Sequence, residues 1–160
     1  MKVNTVCSPP FVPCLRRAES VTDDSRARQK YTTNYVGNDM EIRIGDKNVS
    51  ITGIHTYVLR YNVRCAVRFF HGLAKVYWNA TGDGWSVPIS VATATFRSFA
   101  SVIITKTESS RGSRGSITVA QTATRKDGSV TFTAANIAPG DALTFAVGLR
   151  VRRTGKRVSL

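Results

Sequence analysis

Apolar and polar side chains alternate along much of the chain, most clearly after residue 40. In HTYVLRYNV, the side chains of Tyr57, Leu59, Tyr61 and Val63 fall on one face of an extended chain, whereas those of Thr56, Arg60 and Asn62 point away. The segments MEIRIGD, VATATF and ALTFAVGLRV follow the same two-residue period, which is typical of a half-buried β-strand. No segment sustains a helical period, and β-branched and aromatic residues dominate the patterned segments. The pattern therefore predicts an all-β fold.

Polar or glycine-rich stretches separate these strands. ATGDG joins AKVYWN to WSVPI, RKDG predicts a hairpin turn at Asp127 and Gly128, NIAPGD predicts another turn, and ESSRGSRGS predicts an exposed loop. Turns at this spacing are typical of a sandwich or small barrel. We expect a single β-sandwich of mainly antiparallel strands over residues 21–149, after an irregular N-terminal segment, 1–20, and before a basic C-terminal tail, 150–160.

The segment YWNATGDGWSVPI places Tyr77, Trp78 and Trp85 beside a tight glycine turn. Such rings serve either as core or as a platform on which nucleic-acid bases stack. Enclosing a ring of this size contributes roughly 2–3 kcal/mol, which favours the core interpretation. We therefore expect the two tryptophans to supply much of the core, together with the four residues that alternate in HTYVLRYNV.

The charge is unbalanced, because 23 Lys and Arg residues stand against 10 Asp and Glu residues, a net charge of +13. A basic surface can bind phosphates of nucleic acid, an anionic membrane or an envelope polymer, but it can also be a solvated face. The basic residues are denser in SSRGSRGS and at the C-terminal end. The sequence-based candidates for contact with an anion are Arg111, Arg114, Arg150, Arg152 and Arg153.

No constellation of residues predicts catalysis, so no catalytic, cofactor-binding or metal-binding residue and no small-molecule substrate is predicted. His55 and His71 have no Cys or acidic partner at metal-ligand spacing, and no serine lies in a G-x-S-x-G elbow. The spacing of Cys7 and Cys14 is unusual for zinc, and it leaves a disulfide between them open. No stretch is long enough to span a membrane, and prolines interrupt the start of the chain, so no signal peptide is predicted.

The central block resembles a known family. The motifs IRIGD, GIHTYVLRY and YWNATGDGWSVPI occur in the order found in the N-terminal domain of the YciQ-like predicted bacterial membrane proteins, and the resemblance covers roughly residues 20–149. It implies an extracytoplasmic β-rich domain of unknown function at the cell membrane. The family plan adds a signal sequence and membrane helices, so the resemblance implies a chain truncated at both ends. Val76 stands where the family often has an acid, and RVRRTGKRVSL departs from it.

Two functional hypotheses follow. The first is a non-enzymatic extracytoplasmic binding or structural module, whose partner is an acidic envelope component or another part of a membrane protein. The second is a small basic nucleic-acid-binding β protein, similar to a virus-coat sandwich, which the net charge of +13 favours. A hydrolase is a distant third, because the sequence offers no pair of nucleophile and base.

Overall fold

All regular secondary structure in the computed structural model is β-strand within the described residues, which are 2–3, 16–36, 39–46, 48–64, 66–70, 73–99, 102–124 and 127–151. The strands are β1 (Lys2–Val3), β2 (Arg16–Thr22), β3 (Tyr31–Val36), β4 (Asp39–Ile44), β5 (Val58–Val63), β6 (Val67–Phe70), β7 (Leu73–Asn79), β8 (Ile89–Phe96), β9 (Val102–Gly112), β10 (Gln121–Thr124), β11 (Val130–Ile137) and β12 (Ala142–Val151). Every strand pair among these described residues is antiparallel. The predicted all-β class of packed antiparallel sheets is confirmed. Strand β2 begins at Arg16, inside the segment predicted to be irregular.

Two sheets face each other in the C-terminal part of the chain. One has the strand order β10-β11-β8 and the other the order β6-β7-β12-β9. Their central strands, β11 and β12, supply most of the buried side chains between them. The rings of Phe132 and Phe145 stack across this space with centroids 4.7 Å apart, and Phe132 and Leu143 are fully buried. The main core therefore lies between β11 and β12.

The alternation in ALTFAVGLRV explains why β12 is the central strand of its sheet. Leu143, Phe145, Val147 and Leu149 are buried in the core cluster. The residues between them point to the other face of the sheet, since successive side chains of a strand alternate. They are small until the strand ends: Ala142, Thr144, Ala146 and Gly148.

A second, smaller cluster forms between the two N-terminal sheets, β1-β4-β3 and β2-β5. Its buried members are Val21, Met40 and Ile42, and Tyr61 packs against them. The ring of Tyr61 stacks on that of Trp78, which belongs to the edge of the main core, with centroids 6.5 Å apart. This pair of rings connects the two clusters.

The expected core residues need correction. Leu59, Tyr61, Val63, Trp78 and Trp85 are only partly buried. Tyr57, which precedes β5, is 38% exposed. The alternation in β5 is as predicted, but a strand of a two-stranded sheet has few neighbours to cover it. The deepest apolar side chains come instead from β11, β12 and β4.

The expected loop ESSRGSRGS is also different in the structure. Residues 108–112 continue β9, and a turn occupies only 113–115. Backbone hydrogen bonds to residues 118–120 hold this part of β9 in the sheet. Arg111 N–H donates to the Thr118 carbonyl at 2.8 Å, and Ala120 N–H donates to the Ser109 carbonyl at 3.3 Å. Backbone pairing on both edges of β9, with β12 on one side and residues 118–120 on the other, stabilises a strand whose sequence is polar. The predicted hairpin is confirmed, with Thr124 opposite Val130 across the Asp127–Gly128 turn.

Candidate functional site

The glycine turn between β7 and β8 is held together by its own polar groups. Gly82 has a φ of +74°, and its N–H donates to Asn79 Oδ1 at 2.8 Å. The indole N–H of Trp85 donates to the Thr81 carbonyl at 2.8 Å. Trp85 therefore closes the turn with a hydrogen bond while its ring is partly buried.

The same turn is attached to the start of β12. Thr81 Oγ1 accepts a hydrogen bond from Leu143 N–H at 3.0 Å, and Ala80 N–H donates to the Leu143 carbonyl at 2.8 Å. The hydroxyl of Thr81 thus takes the place of a backbone carbonyl at the end of the β7–β12 ladder. The Trp85 carbonyl accepts from Gly140 N–H at 3.0 Å. These bonds support a structural role for the turn and for Trp85.

Tyr77 has a different environment from the tryptophans. It is 48% exposed, and it lies on the face of β7 that points away from the core, opposite Ala146 of β12. The rings of Tyr77 and Trp78 therefore lie on opposite sides of one sheet, with Trp78 against the core and Tyr77 on the outer face.

Three basic residues and a glycine form one row across this outer face. Arg68 of β6 lies opposite Lys75 of β7, Lys75 lies opposite Gly148 of β12, and Gly148 lies opposite Lys106 of β9. Neighbouring strands are about 4.8 Å apart, so the row brings the three cations within roughly 15 Å of one another. Arg150 is exposed on the same face, two residues beyond Gly148. We call these four cations, Arg68, Lys75, Lys106 and Arg150, the basic row.

An irregularity in β9 shapes the centre of the basic row. The pairing of β9 with β12 shifts register between Gly148 and Leu149, so Thr105 is an extra residue, as in a β-bulge. A Cβ atom on Gly148 would lie 2.9 Å from Thr105 Oγ1 and 3.5 Å from Lys106 Cβ. Thr105 and Lys106 are therefore both next to Gly148. The hydroxyl of Thr105 offers a hydrogen-bond donor between the lysines.

Glu108 is the carboxylate that faces the basic row. Its Oε1 lies 2.6 Å from Lys106 Nζ, and its Oε2 lies 3.9 Å from Lys75 Nζ. The hydrogen bond and charge of Lys106, and then the charge of Lys75, hold the pKa of Glu108 below its ordinary value. The same bond raises the pKa of Lys106. Within the part of this face that the structure describes, Lys75, Lys106 and Arg150 outnumber Glu108, which favours an anionic partner.

The structure separates the arginines predicted to contact an anion. Arg111 lies opposite Leu143, seven residues along β12 from Arg150 and roughly 23 Å away at 3.3 Å per residue. Arg111 Nη1 donates to the Ala135 carbonyl at 3.0 Å, and Arg114 lies in the adjoining turn. Arg152 and Arg153 lie outside the described residues, as do Cys7, Cys14, Cys65 and His71.

Sequence reasoning missed Arg68, Lys75 and Lys106. Each is a single basic residue in an otherwise apolar or polar strand: VRFF, LAKVYWN and VIITKTE. The sequence signal for them was that each occupies a position of its strand where the alternation predicts a solvent-facing side chain. The strand order β6-β7-β12-β9 was needed to bring them together.

A cleft of about 670 Å³ opens between the first half of β9 and the β10–β11 hairpin. Lys106 and Arg97 line it together with the apolar side chains of Phe99 and Val102 and several hydroxyls. Asp127 also lines it, but its Oδ1 accepts hydrogen bonds from Ser129 N at 2.9 Å and Ser129 Oγ at 2.6 Å within the hairpin turn. The cleft extends the cationic surface around the edge of β9.

His55, which was not predicted to be a metal ligand, has local contacts in the structure. His55 Nε2 lies 2.8 Å from the Thr52 carbonyl, and the His55 ring stacks on that of Tyr57 with centroids 6.3 Å apart. Among the described residues there is no group of three His, Cys, Asp or Glu side chains that could hold a metal ion. The structure as described contains no helix that is long and apolar enough to cross a bilayer.

Comparison with known proteins gives one relationship that covers most of the chain. Residues 5–149 match the model of a family described as "Predicted membrane protein (DUF2207) N-terminal domain". No curated protein and no solved structure matches the chain. The matched range includes both buried clusters, the aromatic turn and the basic row apart from Arg150.

Proposed function

This chain belongs to the family of predicted membrane protein N-terminal domains of unknown function, DUF2207, and we propose that it is a non-enzymatic binding or structural module on the extracytoplasmic side of the membrane. The YciQ-like motifs in its central block support that placement, because the plan of those proteins puts the domain outside the cytoplasm. Its partner is an acidic component of the cell envelope or an acidic part of the same membrane assembly.

The basic row is the observation that carries this proposal. Lys75 and Lys106 have 47% and 74% of their side-chain surface exposed, and they lie on strands whose opposite face packs against the main core. A cation near an anionic surface contributes about 1 kcal/mol, or about fivefold in affinity. Four cations on one face can therefore retain a polymer with repeated phosphates or carboxylates, and the Thr105 hydroxyl adds a donor.

Binding of the purified chain to inorganic polyphosphate and to polyglutamate, at several salt concentrations, tests the partner. We expect affinity to fall steeply with salt. A Lys75→Gln, Lys106→Gln double variant should bind at least tenfold more weakly. Arg114→Gln is the matched control for the single variant Lys106→Gln, because each removes one cation and Arg114 lies in the turn at the far end of β9. If Arg114→Gln weakens binding as much as Lys106→Gln does, the basic row is not the site.

The placement needs a separate experiment in cells. An epitope can be inserted in the exposed turn at residues 113–115 of the membrane-attached protein, and intact cells can be treated with protease. Digestion without permeabilisation supports the extracytoplasmic side. Protection of the epitope until the membrane is permeabilised contradicts it.

Nucleic-acid binding is the second candidate function, and exposed Tyr77 is the observation that favours it. The ring lies two residues from Lys75 on the same face, and stacking of a base on such a ring contributes about 1–3 kcal/mol. A Tyr77→Leu variant separates the candidates. If oligo-dT binds more tightly than polyphosphate and Tyr77→Leu removes that preference, the protein is a nucleic-acid binder. If the variant binds both probes as the parent does, the envelope function is favoured.

A further inference from the structure

Residues 48–57, with the sequence NVSITGIHTY, form the part of the β4–β5 connection that leads into β5, and we call this segment the arm. The arm contains no Asp, Glu, Lys or Arg, and all of its residues are exposed. Ile54 is 99% exposed, Val49 63% and Ile51 59%. Exposed aliphatic side chains are ordinary when scattered singly, but a group of them in one ten-residue segment without charged side chains indicates an interaction site.

The arm has a defined base and tip. At one end, Asp46 Oδ1 accepts from Asn48 N–H at 3.0 Å while Asp46 Oδ2 accepts from Lys30 Nζ at 2.8 Å. At the other end, the arm leads into Val58, which pairs with Thr22 of β2. Both ends are therefore tied to the turn between β2 and β3, and the most exposed apolar residue, Ile54, lies between them.

The tip is a bend with an aromatic pair behind it. Gly53 has a φ of +87° and open space where a side chain would be, so the bend places Ile54 in solvent. His55 and Tyr57 stack beside it. An aliphatic tip backed by amphipathic rings matches the distribution of side chains across the polar boundary of a bilayer, where aromatic residues concentrate.

We propose that the arm inserts into the outer boundary of a lipid bilayer and orients the domain on the membrane. The family description already associates the domain with a membrane protein. A protein partner is less suited to the arm, because a stable interface covers roughly 800 Å² on each side, and a connection one chain thick offers three aliphatic side chains. A bilayer requires no complementary shape, and interfacial segments enter it to a depth of about 5–10 Å.

The arm and the basic row are expected to respond differently to salt. Among the described residues at the base of the arm, Lys30 and Asp46 form an ion pair with each other, and the arm itself carries no Asp, Glu, Lys or Arg. Insertion of the arm should therefore depend on apolar transfer and tolerate salt. This inference does not depend on the acidic partner proposed for the basic row, and either surface can fail its test without the other.

Flotation of the purified chain with phosphatidylcholine vesicles tests the inference. We expect the chain to float with the vesicles at low and at moderate salt, and Ile54→Asp to lower the partition coefficient at least tenfold. Ile117→Asp is the matched control, because Ile117 is 92% exposed in a different part of the molecule. It should partition as the parent does.

A second variant reports insertion directly. Ile54→Trp should partition more strongly, and its emission should shift to the blue when vesicles are added, whereas Ile117→Trp should show no added shift. The inference is overturned if the parent does not float, if the two aspartate variants behave alike, or if binding requires anionic lipid and disappears with salt. Concentration-dependent dimerisation that Ile54→Asp abolishes, without any flotation, would instead identify a second copy as the occupant.

Discussion

The hydroxyl of Thr81 should stabilise the fold far more than its partly exposed position indicates. Thr81→Val preserves the shape of the side chain but removes the oxygen that accepts from Leu143 N–H at 3.0 Å. Leu143 is fully buried, so its N–H would have no water to replace the lost partner. Leaving a buried donor unsatisfied costs about 1–3 kcal/mol, and the Gly82 carbonyl, which Thr81 Oγ1 contacts at 3.1 Å, loses a donor as well.

Urea unfolding of the purified chain measures this cost. Thr81→Val should lower the free energy of unfolding by about 1–3 kcal/mol with an unchanged dependence on denaturant, and it should lower the thermal midpoint by about 2–4 °C per kcal/mol. Thr81→Ser retains the hydroxyl, so it should cost less than about 1 kcal/mol. The reasoning is refuted if Thr81→Val is as stable as the parent, or if the two variants lose the same stability.

Three further predictions concern the outer face and its edge. Glu108→Gln should tighten polyphosphate binding by about fivefold in low salt, since it removes the carboxylate that neutralises Lys106; unchanged or weaker binding would contradict this. Because the pKa of Glu108 is depressed in the fold, its ion pairs contribute stability above the ordinary value of 4.5 that is lost as pH falls through the folded value. The urea midpoint of the parent should therefore fall more than that of Glu108→Gln as pH decreases below 4.5. Gly112→Ala should lower the free energy of unfolding by about 1–3 kcal/mol, because Gly112 has a φ of +123° and the new Cβ would lie 2.9 Å from Ser116 Cβ. Gly115→Ala is the control, because its new Cβ would meet no atom within 4 Å, and it should lower the free energy of unfolding less in the same urea assay.

The strands could be predicted from the sequence where one face is buried and the other is solvated. The alternation in ALTFAVGLRV predicted β12 because the side chains of Phe145 and Val147 face a packed sheet while Thr144 and Gly148 face away. The hairpin at Asp127 could be predicted because a tight turn depends on local residue types. Strand β9 was predicted too short, since its second half is stabilised by backbone pairing on both edges, which leaves no hydrophobic pattern in ESSRG.

The candidate site could not be predicted because it depends on pairing between strands that are distant in the chain. Arg150 was identified from the density of basic residues, but Arg68 and Lys106 were not, since each stands alone in its segment. Only the central position of β12, between β7 and β9, brings them to one face. In the aromatic motif, consecutive positions already place Tyr77 and Trp78 on opposite faces of a strand, but the strand order was needed to show which of the two faces is covered by the core.

The stacked rings of Tyr61 and Trp78 join two clusters that are synthesised at different times. A ribosome releases the N-terminal sheets first, and their small cluster around Met40 has no support from the larger core until Trp78 and the strands behind it have been made. Domains generally acquire structure as units during synthesis, but here the first unit to emerge is the one with fewer buried side chains. The small cluster therefore gains the full support of the larger core only after β12, which supplies Phe145 and Val147 to that core, has left the exit tunnel.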